Sequence, residues 1–401
     1  MKRILRVLGA AIPAVVLICT LLPARAFALV GAHSYTNTSN GDVFLGGDYI
    51  ELGLSSYGSF GTMSNAALPS GFYGTANRTS IGMGSNAAGY GNSPDTRIDY
   101  FLPGTPEERW VVGYKVGGTP SIGSNSLRMN AHDIANNAVV NQSSGSKLKA
   151  TSDGTFNSKL KITQVVSFNA GDKFFRNEVT LKNVDSAPLD SVRYMRTFDP
   201  DNTADRMGSS QTHNEVLYTF AAGDNKAVVL ADTSNNNNDP VYLVNGSRSP
   251  ILFYSDDSRA RVSRFGFSNA DPYAAAAYDS AVAKGSSQNA DQAITITFDV
   301  GTLAPGASQK VVYYTSLDNR DFDEVLEDIQ EAASAEDNDG VSTAEEDAAP
   351  NNGDGNADGI RDSEQANVVS LVNPVAGGGA YQTLQTTGCQ TLGPTAIKPA
   401  S

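Results

Sequence analysis

Short runs of alternating hydrophobic and polar residues, separated by turn residues, dominate the chain from Leu29 to about Ser316. Glycine, asparagine and serine are dense there, and Thr, Val, Tyr and Phe recur in brief stretches. A period of two is typical of strands that bury one face, and closely spaced turn residues separate such strands. The pattern predicts an all-β body over residues 29–316, an antiparallel β-sandwich, with two sandwiches or a supersandwich as the alternatives.

A hairpin is the clearest local prediction within this body. The stretches Lys173–Leu181 and Leu189–Phe198 flank a turn that contains Asn, Asp and Pro. Phe175, Val179 and Leu181 fall on one face of the first strand, as alternation requires. Consecutive strands joined by a short turn usually pair, so we expect these two to be antiparallel neighbours.

Two further strands are predicted near the end of the body. Ile294–Phe298 alternates Ile with Thr, which is typical of a half-buried strand. Val311–Tyr314 follows the turn Ala-Pro-Gly at residues 304–306.

Two helices are predicted. The alanine-rich stretch Tyr273–Lys284 predicts a short one. Asp321–Ala333 predicts a longer one, because apolar residues recur at i, i+3, i+4 and i+7 and acidic residues occupy the other positions. The apolar stripe consists of Phe322, Val325, Leu326 and Ile329. We expect residues 317–334 to connect the β body to an acidic segment.

The first 28 residues have the three parts of a secretory signal peptide. Three basic side chains stand among the first six residues, an apolar run covers residues 7–22, and the small residues Ala26 and Ala28 follow. The run is short for a membrane-spanning helix, which is the alternative. We expect cleavage after Ala28 and a secreted, extracellular protein, anchored at the cell surface or released, with no membrane span after cleavage.

The formal net charge is −14. Cleavage removes four of the 29 basic residues and leaves 25 against 43 acidic ones, a net charge of about −18. This balance argues against nucleic acid or an anionic membrane as a partner and favours cations. Seventeen acidic residues and two basic ones lie between Asp318 and Glu364.

Cys389 is the one cysteine that remains after residues 1–28 are removed. An exported chain without an internal disulfide has to be held together by its core or by metal. Cys389 either pairs with another chain or is incidental.

The better of two predicted calcium loops covers residues 354–365. Oxygen-bearing side chains stand at loop positions 1, 3, 5 and 9, with glycine at position 6 and an apolar residue at position 7. A calcium ion takes six to eight oxygens, and alternate residues of a tight turn direct theirs to one point, with a main-chain carbonyl from position 7. Position 12 is glutamine instead of the usual glutamate, which lowers the expected affinity. The predicted ligands are Asp354, Asn356, Asp358, Ile360, Asp362 and Gln365.

The other predicted loop lies about 19 residues earlier and is less complete. With Gly340 at position 6, Asp337 and Asp339 stand at positions 3 and 5 and Glu346 at position 12. Position 1 is Ala335, so one carboxylate is missing, and ligands shared between the two loops would complete both. The alternative is a disordered acidic linker, but a linker has no reason to place glycine and ligands in one register twice.

These residues resemble a known kind of repeat. The segment Asp337–Gln365 is similar to the thrombospondin type 3-like calcium repeats of bacterial surface proteins. Its continuation Gln365–Leu371 resembles the start of the choice-of-anchor-type C-terminal domain that follows such repeats. This resemblance implies calcium binding without catalysis, with ligands Asp337, Asp339, Glu346, Asp354, Asn356, Asp358 and Asp362. Residues 366–401 are expected to form a short β-type segment, of either a truncated or a released protein, since no sorting signal is recognisable.

The β body resembles, more loosely, the sandwich domains of bacterial surface and adhesin-like proteins. The stretches that carry this resemblance are Phe175–Asn183 and Leu303–Gly306.

Candidate catalytic residues are few. His213 follows Asp199 and Asp201 closely enough in sequence for a sugar-converting site on a supersandwich, but a surface histidine and a capping Asp199 are the preferred interpretation, because spacing alone does not establish a site. Asp199, Asp201 and Asn202 form a weaker candidate ion site.

Glu107 and Glu108 are adjacent, so they point to opposite faces of a strand and are expected to be solvated turn charges instead of an acid–base pair. Seven aromatic residues can stack on sugars, but most are expected to fill the sandwich. They are Tyr49, Tyr57, Phe60, Tyr100, Phe101, Trp110 and Tyr114.

The sequence therefore predicts a secreted calcium-binding protein, with an adhesin-like or matrix role and no catalytic or cofactor-binding residues. Its expected partners are calcium and an extracellular glycan or protein surface. The alternative is a secreted carbohydrate-binding or carbohydrate-active enzyme on a β-supersandwich.

Overall fold

The computed structural model describes residues 29–92, 95–105, 107–129, 131–202, 204, 209–233, 248–334, 341, 346, 349–358, 361–365, 368–372 and 381–385. The predicted signal peptide and Cys389 lie outside these ranges. Of the helices within them, none is both long and apolar enough to cross a membrane.

The described strands pair antiparallel and form four sheets. In chain order they are β1 (His33–Thr36), β2 (Val43–Gly46), β3 (Ile50–Leu54), β4 (Met83–Ser85), β5 (Ile98–Asp99), β6 (Glu107–Val116), β7 (Thr119–Ser126), β8 (Ala131–His132), β9 (Ala135–Asn141), β10 (Lys147–Phe156), β11 (Leu160–Asn169), β12 (Phe174–Asn183), β13 (Asp190–Asp199), β14 (Thr212–Tyr218), β15 (Ala227–Thr233), β16 (Ile251–Ser255), β17 (Ala260–Arg264), β18 (Ser287–Ala290), β19 (Ile294–Asp299), β20 (Ser308–Ser316), β21 (Val368–Val372) and β22 (Tyr381–Gln385). The large sheet has the order β18-β14-β15-β16-β20-β12-β11-β10-β9, and the second sheet has the order β17-β19-β13-β6-β7-β8. An N-terminal sheet follows chain order from β1 to β5, and β21 pairs with β22.

The large sheet and the second sheet pack face to face around one hydrophobic core. Tyr313 of β20 contacts Tyr194 of β13 and Phe298 of β19 across this core, with ring centroids 6.3 and 6.2 Å apart. Residues of the N-terminal sheet join the same core, and the ring of Phe60 meets that of Phe175 at 5.4 Å. The predicted all-β, antiparallel sandwich is confirmed, as a single large sandwich whose core all three sheets share.

Alternation identifies the strands on one side of the large sheet correctly. Along β10, β11 and β12 buried residues alternate with partly exposed ones. Phe175, Val179 and Leu181 are at most 1% exposed, as predicted.

The predicted hairpin is wrong. β12 pairs with β11 and β20 in the large sheet, whereas β13 pairs with β6 and β19 in the second sheet. The intervening turn carries the chain from one layer to the other. Asn183 fixes this crossing by donating from Nδ2 to the carbonyl oxygens of Ala187 (2.9 Å) and Leu303 (2.8 Å).

The predicted short helix at residues 273–284 is also wrong. The segment forms one 3₁₀ turn, Ala275–Ala277, and lies across the outer face of the second sheet. Ala277 packs there against Val111 and Met195. Because the second sheet is covered on this side as well, residues 294–298 of β19 are fully buried, where a half-buried strand was expected.

The predicted long helix is confirmed as α1 (Phe322–Ser334). Its stripe packs on the outer face of the large sheet, where Val325, Leu326 and Ile329 are at most 3% exposed. They contact a cluster that includes Leu252 and Tyr314. A second helix, α2 (Pro350–Gly353), lies in the acidic segment.

Candidate functional site

The better predicted calcium loop forms a turn in which four predicted ligands come together. The main-chain N–H of Asp358 donates to Oδ1 of Asp354 (3.0 Å) and to Oδ1 of Asn356 (3.1 Å). Gln365 donates from Nε2 to Oδ1 of Asp358 at 3.1 Å. None of these four residues is buried.

Two other predicted ligands, one from each loop, meet at Ser370 of β21. The N–H of Ser370 donates to Oε1 of Glu346 at 3.1 Å, and its hydroxyl donates to Oδ2 of Asp362. Both carboxylates are 0% exposed. Oδ1 of Asp362 has no hydrogen-bond donor among the described residues. A buried carboxylate oxygen without a donor or a cation is costly, so Asp362 is the most informative predicted ligand in this segment.

Gly355 lets this loop approach the hairpin of β21 and β22. A Cβ atom at position 355 would lie 2.2 Å from Oγ1 of Thr383 and 2.3 Å from Oγ of Ser370. The N–H of Gly355 also donates to Oδ2 of Asp362 at 2.9 Å. The glycine that the calcium loop requires at position 6, Gly359, lies outside the described residues.

Asp337, Asp339 and Ile360 lie outside the described residues as well. Within the described ranges, no three Asp, Glu, His or Cys side chains lie close enough to hold an ion as they stand. Calcium binding therefore stays a prediction.

Glu107 and Glu108 are buried at the start of β6, so the prediction of solvated turn charges is wrong. They do point to opposite faces. Oε1 of Glu108 lies 2.5 Å from Nε of Arg196, and its Oε2 accepts the N–H of Phe60 at 2.9 Å. Glu107 faces Arg109 at 3.5 Å on the other side. Glu108 can be buried because Arg196 of the neighbouring strand β13 provides its counter-charge.

Glu107 belongs to what we call the carboxylate cluster, which is defined by Glu107, Asp199, Asp201 and Asp291. Asp199 ends β13 and is the direct cross-strand partner of Glu107. Asp201 lies two residues further on, where its N–H donates to the carbonyl oxygen of Tyr100 at 3.1 Å. Asp291 precedes β19, the other neighbour of β13. Strand order thus brings these side chains to one end of the second sheet.

Asp199 is the most perturbed member of the carboxylate cluster. Burial raises its pKa to about 9, and the negative charges of Asp291, Asp201 and Glu107 act in the same direction, as does a side-chain hydrogen bond with Asp291. When both acids are ionised, neither carboxylate oxygen of Asp199 has a hydrogen-bond donor among the described residues, so its hydrogen bond to Asp291 requires a shared proton. The side chain is 1% exposed, so solvent does not compensate for this.

A second feature is an open cavity of about 440 Å³, which we call the aromatic pocket. Its most distinctive walls are the rings of Tyr57 and His132, which stack with centroids 3.9 Å apart and planes 19° from parallel. The other lining residues are Asn40, Gly41, Ser56, Ile134, Ala135, Ala138 and Val139.

Asn125 of β7 fixes both sides of the aromatic pocket. From Nδ2 it donates to the carbonyl oxygens of Tyr57 (3.2 Å) and Ile134 (2.9 Å), and its Oδ1 accepts the N–H of Ile134 at 3.0 Å. Its main chain pairs with His132 across β8. The indole of Trp110 adds a hydrogen bond to the same Tyr57 carbonyl at 3.1 Å. A fully buried frame therefore presents the stacked rings.

His213 is the histidine that the enzyme hypothesis combined with Asp199 and Asp201. It lies on β14, where Nδ1 is 2.8 Å from Oδ1 of Asn289 and Nε2 is 3.2 Å from Oε2 of Glu215. Its main-chain partner across β18 is Asn289, two residues before Asp291, which acts on Asp199. The role of His213 in a sugar-converting site therefore stays a prediction.

No family model and no curated protein matches this sequence. Among solved structures, the chain is similar to heparinase III, with a TM-score of 0.28 and 12% identity over 52% of this chain and 24% of that one. It is similar to a polysaccharide lyase, with a TM-score of 0.33 and 12% identity over 77% and 35%. A galactose mutarotase-like protein from Lactobacillus casei matches with a TM-score of 0.33 and 9% identity over 71% and 99%.

The expectation that the chain is not an enzyme is corrected by this comparison, because the matched structures include polysaccharide lyases and heparinases. The chain spans about a quarter and a third of the length of the first two proteins. With TM-scores below 0.5, neither substrate nor site residues are transferred from them to this chain.

Sequence reasoning missed the aromatic pocket and the full carboxylate cluster. Tyr57 was one of seven candidate aromatics, and His132 had no distinguishing neighbour in sequence. Asp199 and Asp201 were recognised as a weak ion site, but Glu107 and Asp291 join them only through strand pairing. An Asp-x-Asp pair directly after a strand was the one available signal.

Proposed function

We propose that the sandwich binds carbohydrate in the aromatic pocket and acts on it by proton transfer. The supporting observation is the stacked pair of Tyr57 and His132 in an open cavity whose volume lies within the usual range for small-molecule sites. A sugar ring has apolar C–H faces and polar edges. The flat ring pair suits the face, and the side chains of Asn40 and Ser56 suit the hydroxyl groups.

The two rings also suit acid–base chemistry on a bound sugar. Imidazole is the side chain that most often accepts or donates a proton near neutral pH, and a phenol hydroxyl can do the same. Sugar-converting reactions of the elimination and epimerisation types need one group to take a proton and another to give one. Tyr57 and His132 would supply both from adjacent positions.

The test combines binding and turnover. Calorimetric titration with a neutral oligosaccharide and with a uronate-containing oligosaccharide measures affinity, and release of new chain ends measures reaction. Tyr57→Ala is expected to weaken binding at least tenfold, about 1.4 kcal/mol. Tyr57→Phe keeps the stacking face and is expected to retain binding while losing turnover.

Tyr73→Ala is the matched control, since Tyr73 is a partly exposed tyrosine stacked on Tyr90 elsewhere, at 5.4 Å. Wild-type binding and turnover in Tyr57→Ala would reject this proposal.

We also propose that the acidic segment binds calcium, through the side chains predicted from its resemblance to thrombospondin type 3-like repeats. The supporting observation is Oδ1 of Asp362, buried without a donor in the described part of the chain and directly beside Ser370, which also contacts Glu346. Glu346, Asp354, Asn356, Asp358, Asp362 and Gln365 would hold the ion, together with residues outside the described ranges. Calcium there would neutralise clustered carboxylates and order the segment.

Calorimetric calcium titration tests this second proposal. Asp362→Asn and Asp358→Ala are each expected to remove binding heat in the millimolar range typical of extracellular sites. Asp323→Asn, an exposed acid on α1, is the matched control and should leave the heat unchanged. Equal heats in all four proteins would reject the assignment.

Secretion through cleavage of residues 1–28 belongs to the same proposal, and N-terminal sequencing of exported protein should begin at Leu29.

A further inference from the structure

The carboxylate cluster at the end of β13 brings together four acids from three separate segments of the chain. Asp199, Asp201 and Glu107 are 1%, 3% and 4% exposed, whereas Asp291 reaches the surface. The arrangement is therefore an interior acidic site with one exposed member, instead of a solvated acidic patch.

The charges in this cluster are poorly compensated. Arg109 lies 3.5 Å from the carboxylate of Glu107. Its Nη2 lies closer to the hydroxyl of Ser268, to which it donates a hydrogen bond at 2.6 Å. The groups that act electrostatically on Asp199 are all carboxylates. Buried charges in proteins are normally paired or coordinate metals.

Unmet acceptors point to what completes the site. Within the described residues, the ionised carboxylate of Asp199 has no donor other than a proton shared with Asp291, and Oδ1 of the buried Asn202 has no donor. A cation bound between Asp199 and Asp291 would replace that proton. The amide of Asn202 is held in place because its Nδ2 donates to the carbonyl oxygens of Ala231 (3.3 Å) and Ser249 (2.5 Å). Its oxygen is therefore fixed as an acceptor facing away from those carbonyls.

We propose that this end of the second sheet binds a divalent cation of the calcium type, with Asp199 and Asp291 as its central ligands. The donor set in the cluster is oxygen, without histidine or cysteine among the described members, which suits a hard cation and not zinc. Asp201 and Glu107 act electrostatically on Asp199, and Asn202 follows Asp201 directly in sequence. Since no three acidic side chains in the described ranges lie at ligating distance, main-chain and water oxygens complete the coordination, as is common for calcium.

The site is separate from the proposed calcium segment, and its test must keep the two apart. All variants are therefore made in the full chain carrying Asp358→Ala and Asp362→Asn, which removes two predicted ligands and is expected to abolish calcium binding by the acidic segment. Calcium chloride is the probe, with calorimetric titration and the midpoint of thermal unfolding as readouts. The background protein is expected to gain several degrees of thermal midpoint in millimolar calcium.

Asp291→Asn is the decisive variant, because this exposed residue can change without disturbing the core. It is expected to lower calcium affinity at least tenfold and to abolish the gain in thermal midpoint. Asp199→Asn should also abolish the gain, because an amide replaces one of the two central carboxylate ligands. Asp323→Asn in the same background is the control and should behave as its parent.

Two results would overturn the proposal. One is an undiminished calcium response in Asp291→Asn. The other is a background protein whose thermal midpoint and titration heat do not respond to calcium; the carboxylates would then be accommodated by a shared proton alone.

Discussion

Glu108 and Arg196 form an ion pair at 2.5 Å inside the sandwich, with side chains 1% and 4% exposed. They lie on the neighbouring strands β6 and β13, two positions apart in register. The guanidinium also covers the ring of Phe60 at 4.5 Å, and the N–H of Phe60 bonds to Glu108. One buried pair thus fastens the N-terminal segment to the second sheet.

Removing one partner of this pair is expected to cost more than removing both. Arg196→Met leaves a buried carboxylate without its counter-charge, which should lower the free energy of unfolding by about 3–5 kcal/mol. Glu108→Gln keeps an acceptor for the N–H of Phe60 and removes the charge. The double variant is therefore expected to be more stable than Arg196→Met alone. Urea denaturation of the four proteins measures this, and additive losses would contradict it.

The burial pattern of strands that bury one face can be predicted from the sequence, whereas that of strands that bury both faces cannot. The alternation along β10, β11 and β12 appears directly in the residue pattern. β13 and β19 are covered on both faces because segment 265–278 lies on their outer side, a long-range contact that leaves no local signal. The false hairpin has the same cause, since a turn does not specify whether the chain stays in its sheet or crosses to another.

The candidate sites differ in the same way: those formed by residues close in sequence could be predicted, and those formed by distant residues could not. The calcium loops are local in sequence, so their spacing could be recognised, although three of the predicted ligands lie outside the described residues. The aromatic pocket depends on residues 57 and 132, which Asn125 of β7 links through its hydrogen bond to the Tyr57 carbonyl and its pairing with His132. Glu107 was expected to be solvated because charged side chains are usually exposed. Its burial results from pairing with β13, more than 80 residues later in the chain.

Glu51 is expected to make stability depend on pH. It is 0% exposed on β3, and burial raises its pKa to about 7 even though it accepts the N–H groups of Tyr73 (2.8 Å) and Gly74 (2.9 Å). A raised pKa in the folded state means that its contribution is fully present below the unfolded pKa and is lost as pH rises through about 7. The loss corresponds to roughly 3 kcal/mol.

Glu51→Gln stays neutral at every pH and isolates this effect. The free energy of unfolding of wild type, minus that of the variant, should fall by roughly 3 kcal/mol between about pH 4.5 and about pH 8. Chemical denaturation at several pH values measures the difference. Glu324→Gln, with a side chain 63% exposed, is the control and should show a constant difference. A constant difference for Glu51→Gln as well would refute the prediction.

Gly355→Ala is expected to detach the loop at residues 354–358 from the β21–β22 hairpin, because the new Cβ would collide with the hydroxyls of Ser370 and Thr383. Amide hydrogen exchange in β21 and β22 should become faster, and cleavage by protease in this segment should increase. Gly171→Ala is the matched control: its Cβ meets nothing within 4 Å and its φ is not positive. Unchanged exchange in Gly355→Ala would show that the packing is not needed.

Ile329→Ala is expected to weaken the packing of α1 on the outer face of the large sheet. The side chain is 0% exposed and packs in the cluster of Leu252, Tyr254 and Tyr314. Truncating a buried isoleucine costs about 2–5 kcal/mol, through lost burial and the cavity that remains. Thermal and urea unfolding measure the loss, and Glu331→Ala, exposed on the same helix, should change stability by less than about 0.5 kcal/mol. Equal effects of the two variants would mean that α1 does not depend on its apolar stripe for docking.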